Sequence, residues 1–267
     1  MKAYIKPIFI GLFLMSCSTG KLDALADITS SLKETSALEK TKDSNILWVI
    51  QDAGNNNHLY GLDIEGHIIK DITVNNAENR DWEDLTSDSE GNIYIGDFGN
   101  NNEKRKDFTI YQVPNAENVT DSVEATAIHF TLPDDMDSAD FESFFLHQGF
   151  FYIFSKDKKT CKLIKVPHIK GKHEARFISE IQLKGKHNKV TSADISEDGS
   201  IVVLLNHDKL WKLTNFSNDD FFSGTIEALE FEHDSQKEGI NLVNDHQVLI
   251  TDERNKYDGG NIYLFDF

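Results

Sequence analysis

Cysteine is almost missing from this chain: of its two, Cys17 follows an apolar leader and Cys161 has no second cysteine left to pair with once Cys17 is modified. A chain without an internal disulfide must be held by its core. Long apolar runs are missing as well. The nearest approach, Ile8 to Met15, is too short to cross a bilayer. Basic residues are scarce, 27 lysines and arginines against 45 acids for a net charge of −18, a balance that repels nucleic acid and anionic headgroups. No segment carries a convincing amphipathic helical period. A Gly-x-Ser-x-Gly elbow, a His-Glu-x-x-His pair and a Walker-type loop are all absent, which argues against the common hydrolase and nucleotide routes and leaves a metal-centred one open.

What is present begins with residues 1–16. Lys2 and Lys6 precede the apolar run, and Leu14-Met15-Ser16 leads into Cys17 and the polar Ser18-Thr19-Gly20. This resembles a bacterial lipoprotein signal peptide, and the alternative is an ordinary secretory signal with an incidental cysteine. Cleavage before Cys17 would leave that residue as the lipidation site, residues 17–21 as a short tether and 22–267 as one domain anchored to a membrane rather than spanning it. The leader carries two lysines and no acid, so its loss takes the net charge to −20.

The remainder is repetitive. Asp81-Trp82-Glu83-Asp84, a Gly91-Asn92 turn and the run Ile93 to Asp97 form one unit, and Glu238 stands fourteen residues before Asp252 just as Glu83 stands fourteen before Asp97. Glu142 before Phe150 to Asp157, Thr191 before Ser200 to His207, and Glu34 before Ile46 to Asp52 supply three more units. Each is followed by two further short β-rich runs, for example His58 to Leu62 and Ile68 to Val74. About four strands per unit, repeating about every 50 residues, predict an all-β fold, a β-propeller. The count is five four-stranded blades, and six if the connection from Pro114 to Asp140 hides a degenerate one. The last unit stops one strand short, and Leu22 to Ile28 is expected to close the ring as its outer strand, removing an open edge.

Equivalent positions of a propeller meet near its axis, so Glu34, Glu83, Glu142 and Glu238, with Asp52, Asp97 and Asp252, are the candidate metal ligands. Thr191 and Lys156 interrupt the two sets. Gathered carboxylates repel one another unless neutralised, and Ca²⁺, which takes six to eight oxygen ligands, is the expected cation. The alternative is that each acid accepts backbone hydrogen bonds and joins neighbouring blades. Trp82, Lys156 and Arg254 neighbour these acids and are the candidate ligand-binding residues, with blade packing and salt bridges as their structural alternatives. Lys104-Arg105-Lys106 reads as a solvated loop tip.

At Asp81-Trp82-Glu83-Asp84, Gly96-Asp97-Phe98-Gly99-Asn100-Asn101 and Thr251-Asp252-Glu253-Arg254 the chain resembles bacterial envelope lipoproteins of the SdiA-regulated type and, more remotely, esterase-like phytase and gluconolactonase-like propellers. The resemblance implies a cell-envelope location, expected at the outer membrane through lipid on Cys17, and a domain that binds an envelope protein or a small ligand. The remote relatives imply the second expectation, a Ca²⁺-dependent hydrolase of a phosphate ester or lactone. The gluconolactonase-like propellers hold a divalent cation with Glu, Asn and Asp, of which only the inner Glu and Asp positions have counterparts here.

Overall fold

The computed structural model describes residues 19–157, 159–254 and 258–267; residues 1–16 and Cys17, with the leader and lipidation site expected there, lie outside them. The first strand, β1 (Asp23–Asp27), belongs to the last blade. Blade 1 is β2 (Thr35–Glu39), β3 (Leu47–Gln51), β4 (His58–Leu62) and β5 (Ile68–Val74). Blade 2 begins with β6 (Trp82–Ser87), β7 (Ile93–Asp97) and β8 (Asp107–Val113). Its connection holds the two-residue β9 (Ser122–Val123) before the outer strand β10 (Thr126–Thr131). Blade 3 is β11 (Phe141–His147), β12 (Phe150–Ser155) and β13 (Cys161–Pro167), then β14 (Gly171–Glu174) in the connection and β15 (Arg176–Ile181) outermost. Blade 4 is β16 (Ser192–Ile195), β17 (Val202–Leu205), β18 (Lys209–Thr214) and β19 (Thr225–Glu230). Blade 5 is β20 (Lys237–Asn244), β21 (Gln247–Asp252) and β22 (Asn261–Asp266), completed by β1, which pairs antiparallel with β22 from Asp23↔Leu264 to Asp27↔Asn261.

Five sheets of this kind are a five-bladed β-propeller closed by its N-terminal strand. The connection from Pro114 to Asp140 hides no sixth blade. It supplies β9, which adds in parallel to the outer edge of blade 1 at Thr73↔Ser122. In the same way β14 leaves blade 3 and adds to the edge of blade 2 at Ile128↔Gly171, and the helical turn Phe221–Ser223 of blade 4 leans on blade 3, where Ser179 Oγ donates to Asp220 at 2.6 Å. Lys21 N–H donates to Phe231 O of blade 4 at 2.7 Å, and Thr29 N–H of the closing segment to Gly66 O of blade 1 at 3.0 Å. The connections thus brace the neighbouring blades, and β9 and β14 cover edges that would otherwise offer unpaired backbone groups.

The second strands are apolar through their middles, with polar residues such as Gln51, Asp97 and Asp252 at their ends, because both faces of each sheet are covered and successive side chains point to opposite faces. On β7, Ile93 and Ile95 pack with Trp48 and Trp82 between blades 1 and 2, whereas Tyr94 joins Phe144 and Phe151 between blades 2 and 3. On β17, Val202 and Leu204 face Trp211 and Phe154, and Val203 and Leu205 face Ile250 and Tyr263. The joint between blades 5 and 1 is filled by Ile28, Leu38, Leu47, Leu249 and Ile262.

Candidate functional site

Five first strands converge on the axis with their inner edges unpaired, and buried backbone N–H groups need acceptors. Side chains of neighbouring blades provide them. Asp84 on β6 accepts from Phe144 N (3.1 Å) of blade 3 and from Ser192 Oγ (3.0 Å) and Ala193 N (3.3 Å) of blade 4, so one carboxylate ties three blades. Ser192 Oγ in turn accepts from Ile240 N at 3.2 Å, and Thr86 Oγ1 from Leu146 N at 3.1 Å. Burial pushes Asp84 well above the usual carboxylate range, against the pull of four hydrogen bonds to it.

One turn nearer the end where the first strands begin, the pairing of first and second strands skips a residue in three blades: between Trp82 and Asp84, between Phe141 and Ser143, and between Lys237 and Gly239. The skipped residues are Glu83, Glu142 and Glu238. A bulge re-aims a side chain, and these three converge on Lys156, which follows β12. Its Nζ lies 2.8 Å from Glu142 Oε2. Burial pulls the Lys156 ammonium down, but Glu238, Glu142 and Glu83 outweigh it and hold the group above the ordinary lysine range. Burial and the charge of Glu142 push Glu83 well up, and burial takes Glu142 to about 8 although Lys156 opposes it. Blade 4 has no such bulge within its pairing, and Thr191 there donates to Lys237 O at 2.7 Å.

Blade 1 corrects the repeat register. Thr35 pairs with Gln51 as Trp82 pairs with Asp97, so Ser36 and Gln51, not Glu34 and Asp52, occupy the places of Glu83 and Asp97. Both acids still reach the cluster, Glu34 from the segment before β2 and Asp52 from the loop after β3. Asp52, Asp81 and Glu83 each offer a carboxylate oxygen within 4.8 Å of the others', while Glu34 Oε2 accepts from Asn55 Nδ2 at 2.7 Å. Burial, then the charge of Asp52, raises Asp81 to about 6. Glu253, from the loop after β21, is raised to about 8 by burial and by Glu238. His207 Nε2 lies 3.2 Å from Glu238 Oε1.

The remaining candidates lie within their own blades. Asp97 is held by Arg105 at 3.0 Å and accepts from Asp81 N at 3.2 Å. Arg105 is therefore no part of a solvated loop tip; its side chain, 13 % exposed, folds back because Asp97 and two carbonyls take its guanidinium. Asp252 accepts from Asn261 N (2.8 Å) and Tyr263 Oη (3.0 Å) inside blade 5. Trp82 is fully buried between blades 1 and 2, its Nε1 donating to Glu78 O at 3.2 Å. Arg254 donates to Ile28 O at 2.9 Å and to Gly260 O at 3.2 Å, fastening the closing segment. Asp81, Glu253 and His207 enter the cluster without having been singled out from sequence. Asp81 adjoins Trp82-Glu83, and Gly99 marks its place: a Cβ there would lie 2.0 Å from Glu83 Oε1 and 2.6 Å from Asp81 Oδ2, so any larger residue would push these carboxylates aside.

A family model described as SdiA-regulated matches residues 21–210. Among solved structures, the chain is similar to a gluconolactonase from Xanthomonas campestris (7% identity over 91% of this chain and 88% of the other, TM-score 0.51). It is also similar to the PQQ-bound aldose sugar dehydrogenase of Streptomyces coelicolor (9%, 92% and 98%, TM-score 0.53) and to a chain of a nidogen/laminin complex (10%, 83% and 73%, TM-score 0.51). At such identities the likeness is one of fold. A search of curated proteins by sequence found no match.

Proposed function

The chain belongs to the SdiA-regulated family, and on that premise we propose a binding module of the bacterial envelope, tethered by lipid on Cys17, whose acidic face holds Ca²⁺ and presents it to a protein or small ligand. The observation that carries the reading is Lys156. Its ammonium stands among Glu83, Glu142 and Glu238 and is paired with Glu142, so the axial carboxylates already have a cation. The set fit for a metal is displaced to Asp52, Asp81 and Glu83, whose oxygens lie close enough to share one ion and whose proton affinity is raised by burial first and by neighbouring carboxylates second.

Three carboxylates more than neutralise a divalent charge. A hard ion held that way is well retained and is a weak polariser of substrate, which favours binding over hydrolysis. When bound, the ion would supply electrostatic attraction for an anionic or carbonyl oxygen on a partner. The protein residues hold it: Gly99 leaves room, Asn100 fixes the loop by accepting from Lys104 N (2.8 Å) and Arg105 N (2.9 Å), and Arg105 keeps Asp97 out of the set.

Calorimetric titration of Ca²⁺ into the chelator-treated chain tests this. About one ion per chain is expected, with thermal unfolding stabilised by about 2.7 kcal/mol at a hundredfold excess over Kd. Asp52→Asn with Asp81→Asn should abolish binding. No heat and no shift would leave the acids as blade supports and sink the metal. Turnover of lactones or phosphate esters that needs Ca²⁺ and disappears in Glu83→Gln would install the hydrolase instead. The tether is checked by labelling with radioactive palmitate in a bacterial host: Cys17→Ser should lose both label and membrane association.

A further inference from the structure

The opposite end of the first strands opens into a cavity of about 1210 Å³, somewhat larger than the roughly 300–1,000 Å³ typical of ligand pockets. It is built from the hairpins that join first to second strands, and its floor carries two acids from blades that are not neighbours in the ring, Glu39 of blade 1 and Asp194 of blade 4. Glu39 is 6% exposed. Its Oε1 accepts from Ser87 Oγ at 2.8 Å, and Asp194 Oδ2 accepts from Leu242 N at 2.6 Å and from Asn241 Nδ2 at 3.4 Å. Among the described residues neither acid is ion-paired to a lysine, arginine or histidine. The one lysine paired at the mouth, Lys42, bonds to Glu197 at 2.5 Å instead.

The two ends of the axis therefore differ in one respect. At the Glu83 end the gathered carboxylates enclose the ammonium of Lys156; at the Glu39 end the equivalent charge is missing and there is space where it would be. Carboxylates round the cavity outnumber lysines seven to two, so its field favours a cation. The walls add apolar surface from Leu146, Ile195, Leu242 and Phe267, which a hydrated metal ion would not use. We propose that this cavity is a second ligand site that takes a small organic cation, its primary ammonium seated between Glu39 and Asp194 and its apolar stem along those four side chains. Burial, then the charge of Asp194, raises the proton affinity of Glu39, and burial raises that of Asp194, so a counter-charge between them would relieve both. This site is separate from the acidic face proposed above and stands without it.

The probe is n-hexylamine, with n-hexanol as its uncharged counterpart and CaCl₂ as the metal. Titrated into the full chain, hexylamine should bind once per chain and at least tenfold more tightly than hexanol. Glu39→Gln and Asp194→Asn should each weaken it at least tenfold, and Glu65→Gln, an exposed acid elsewhere, should leave it unchanged. Both floor substitutions remove buried like charge, so folding is retained. Should either variant fail to fold, Val243→Trp places a reporter on the exposed rim, whose emission should shift with hexylamine and not with hexanol. Equal affinity for hexanol, unchanged affinity in both floor variants or a silent tryptophan would overturn the proposal. So would Ca²⁺ binding that Glu39→Gln abolishes without any amine binding, which would make the floor a metal site.

Discussion

At the residue scale the acidic face is organised by one lysine. Read along the chain, Lys156 is a gap in a set of aspartates; in the ring it is the charge that lets Glu83, Glu142 and Glu238 be buried together. Removing one partner of a buried pair strands the others. Lys156→Met should therefore cost about 3–5 kcal/mol in urea unfolding at pH 8, and less at pH 5, where Glu142 can take up a proton instead. An equal cost at both values would mean the carboxylates are stabilised chiefly by their other neighbours. The repeat reading put Lys156 in the place of Asp97, but Phe141 pairs with Ser155 as Trp82 pairs with Asp97, so Ser155 holds that place and Lys156 follows it. Its reach across the axis was not legible, because a bulge one residue long decides where Glu142 points.

The elements were largely legible because each is a short β-rich run between turn residues, with period-2 packing on both faces. The expected strand His58 to Leu62 coincides with β4 and Ile68 to Val74 with β5. The edge-bracing strands β9 and β14 were not, since two and four residues of ordinary composition acquire a strand's geometry only from the edge they meet. The closing strand was foreseen from counting. Its anchor is Ile28, 1% exposed against Leu32, Leu47 and Leu62 at the joint of blades 5 and 1, and its carbonyl accepts from Arg254. Ile28→Ala should cost about 2–5 kcal/mol and broaden the unfolding transition, as the ring opens at its seam. Differential scanning calorimetry would show this, and a loss below 1 kcal/mol would mean that the β1–β22 pairing alone closes the ring.

For the whole molecule, an excess of acids meets a fold that buries several of them. Burial, first among the causes, raises Asp81 to about 6, Asp194 to about 7, and Glu142 and Glu253 to about 8. Above the ordinary carboxylate range the native state then holds protons that the unfolded chain has released. The stability these groups contribute is complete below that range and is lost as pH rises through 6 to 8. Lys237, lowered to about 8 by burial, acts in the opposite sense but only above that window. Without added metal, Tm should be higher at pH 5.5 than at pH 8.0 by at least about 3 °C, the shift of roughly 1 kcal/mol in a chain of this size, and Glu142→Gln should flatten the slope. A Tm that rises with pH would show these carboxyls ionised in the native state.

From the sequence alone came the all-β class, about four strands to a unit, the five units and their circular closure, because turn chemistry and period-2 apolarity are local and repeat about every 50 residues. The same local signals place acids at repeating positions. Tertiary structure alone decided which acids meet and what neutralises them. Register shifts of one residue turned Glu83, Glu142 and Glu238 towards Lys156, a loop brought Asp81 and Asp52 beside them, Arg105 withdrew Asp97, and the hairpins at the far end left Glu39 and Asp194 facing a cavity. Charge pairing depends on distance through space, and five sheets converging on one axis set those distances together.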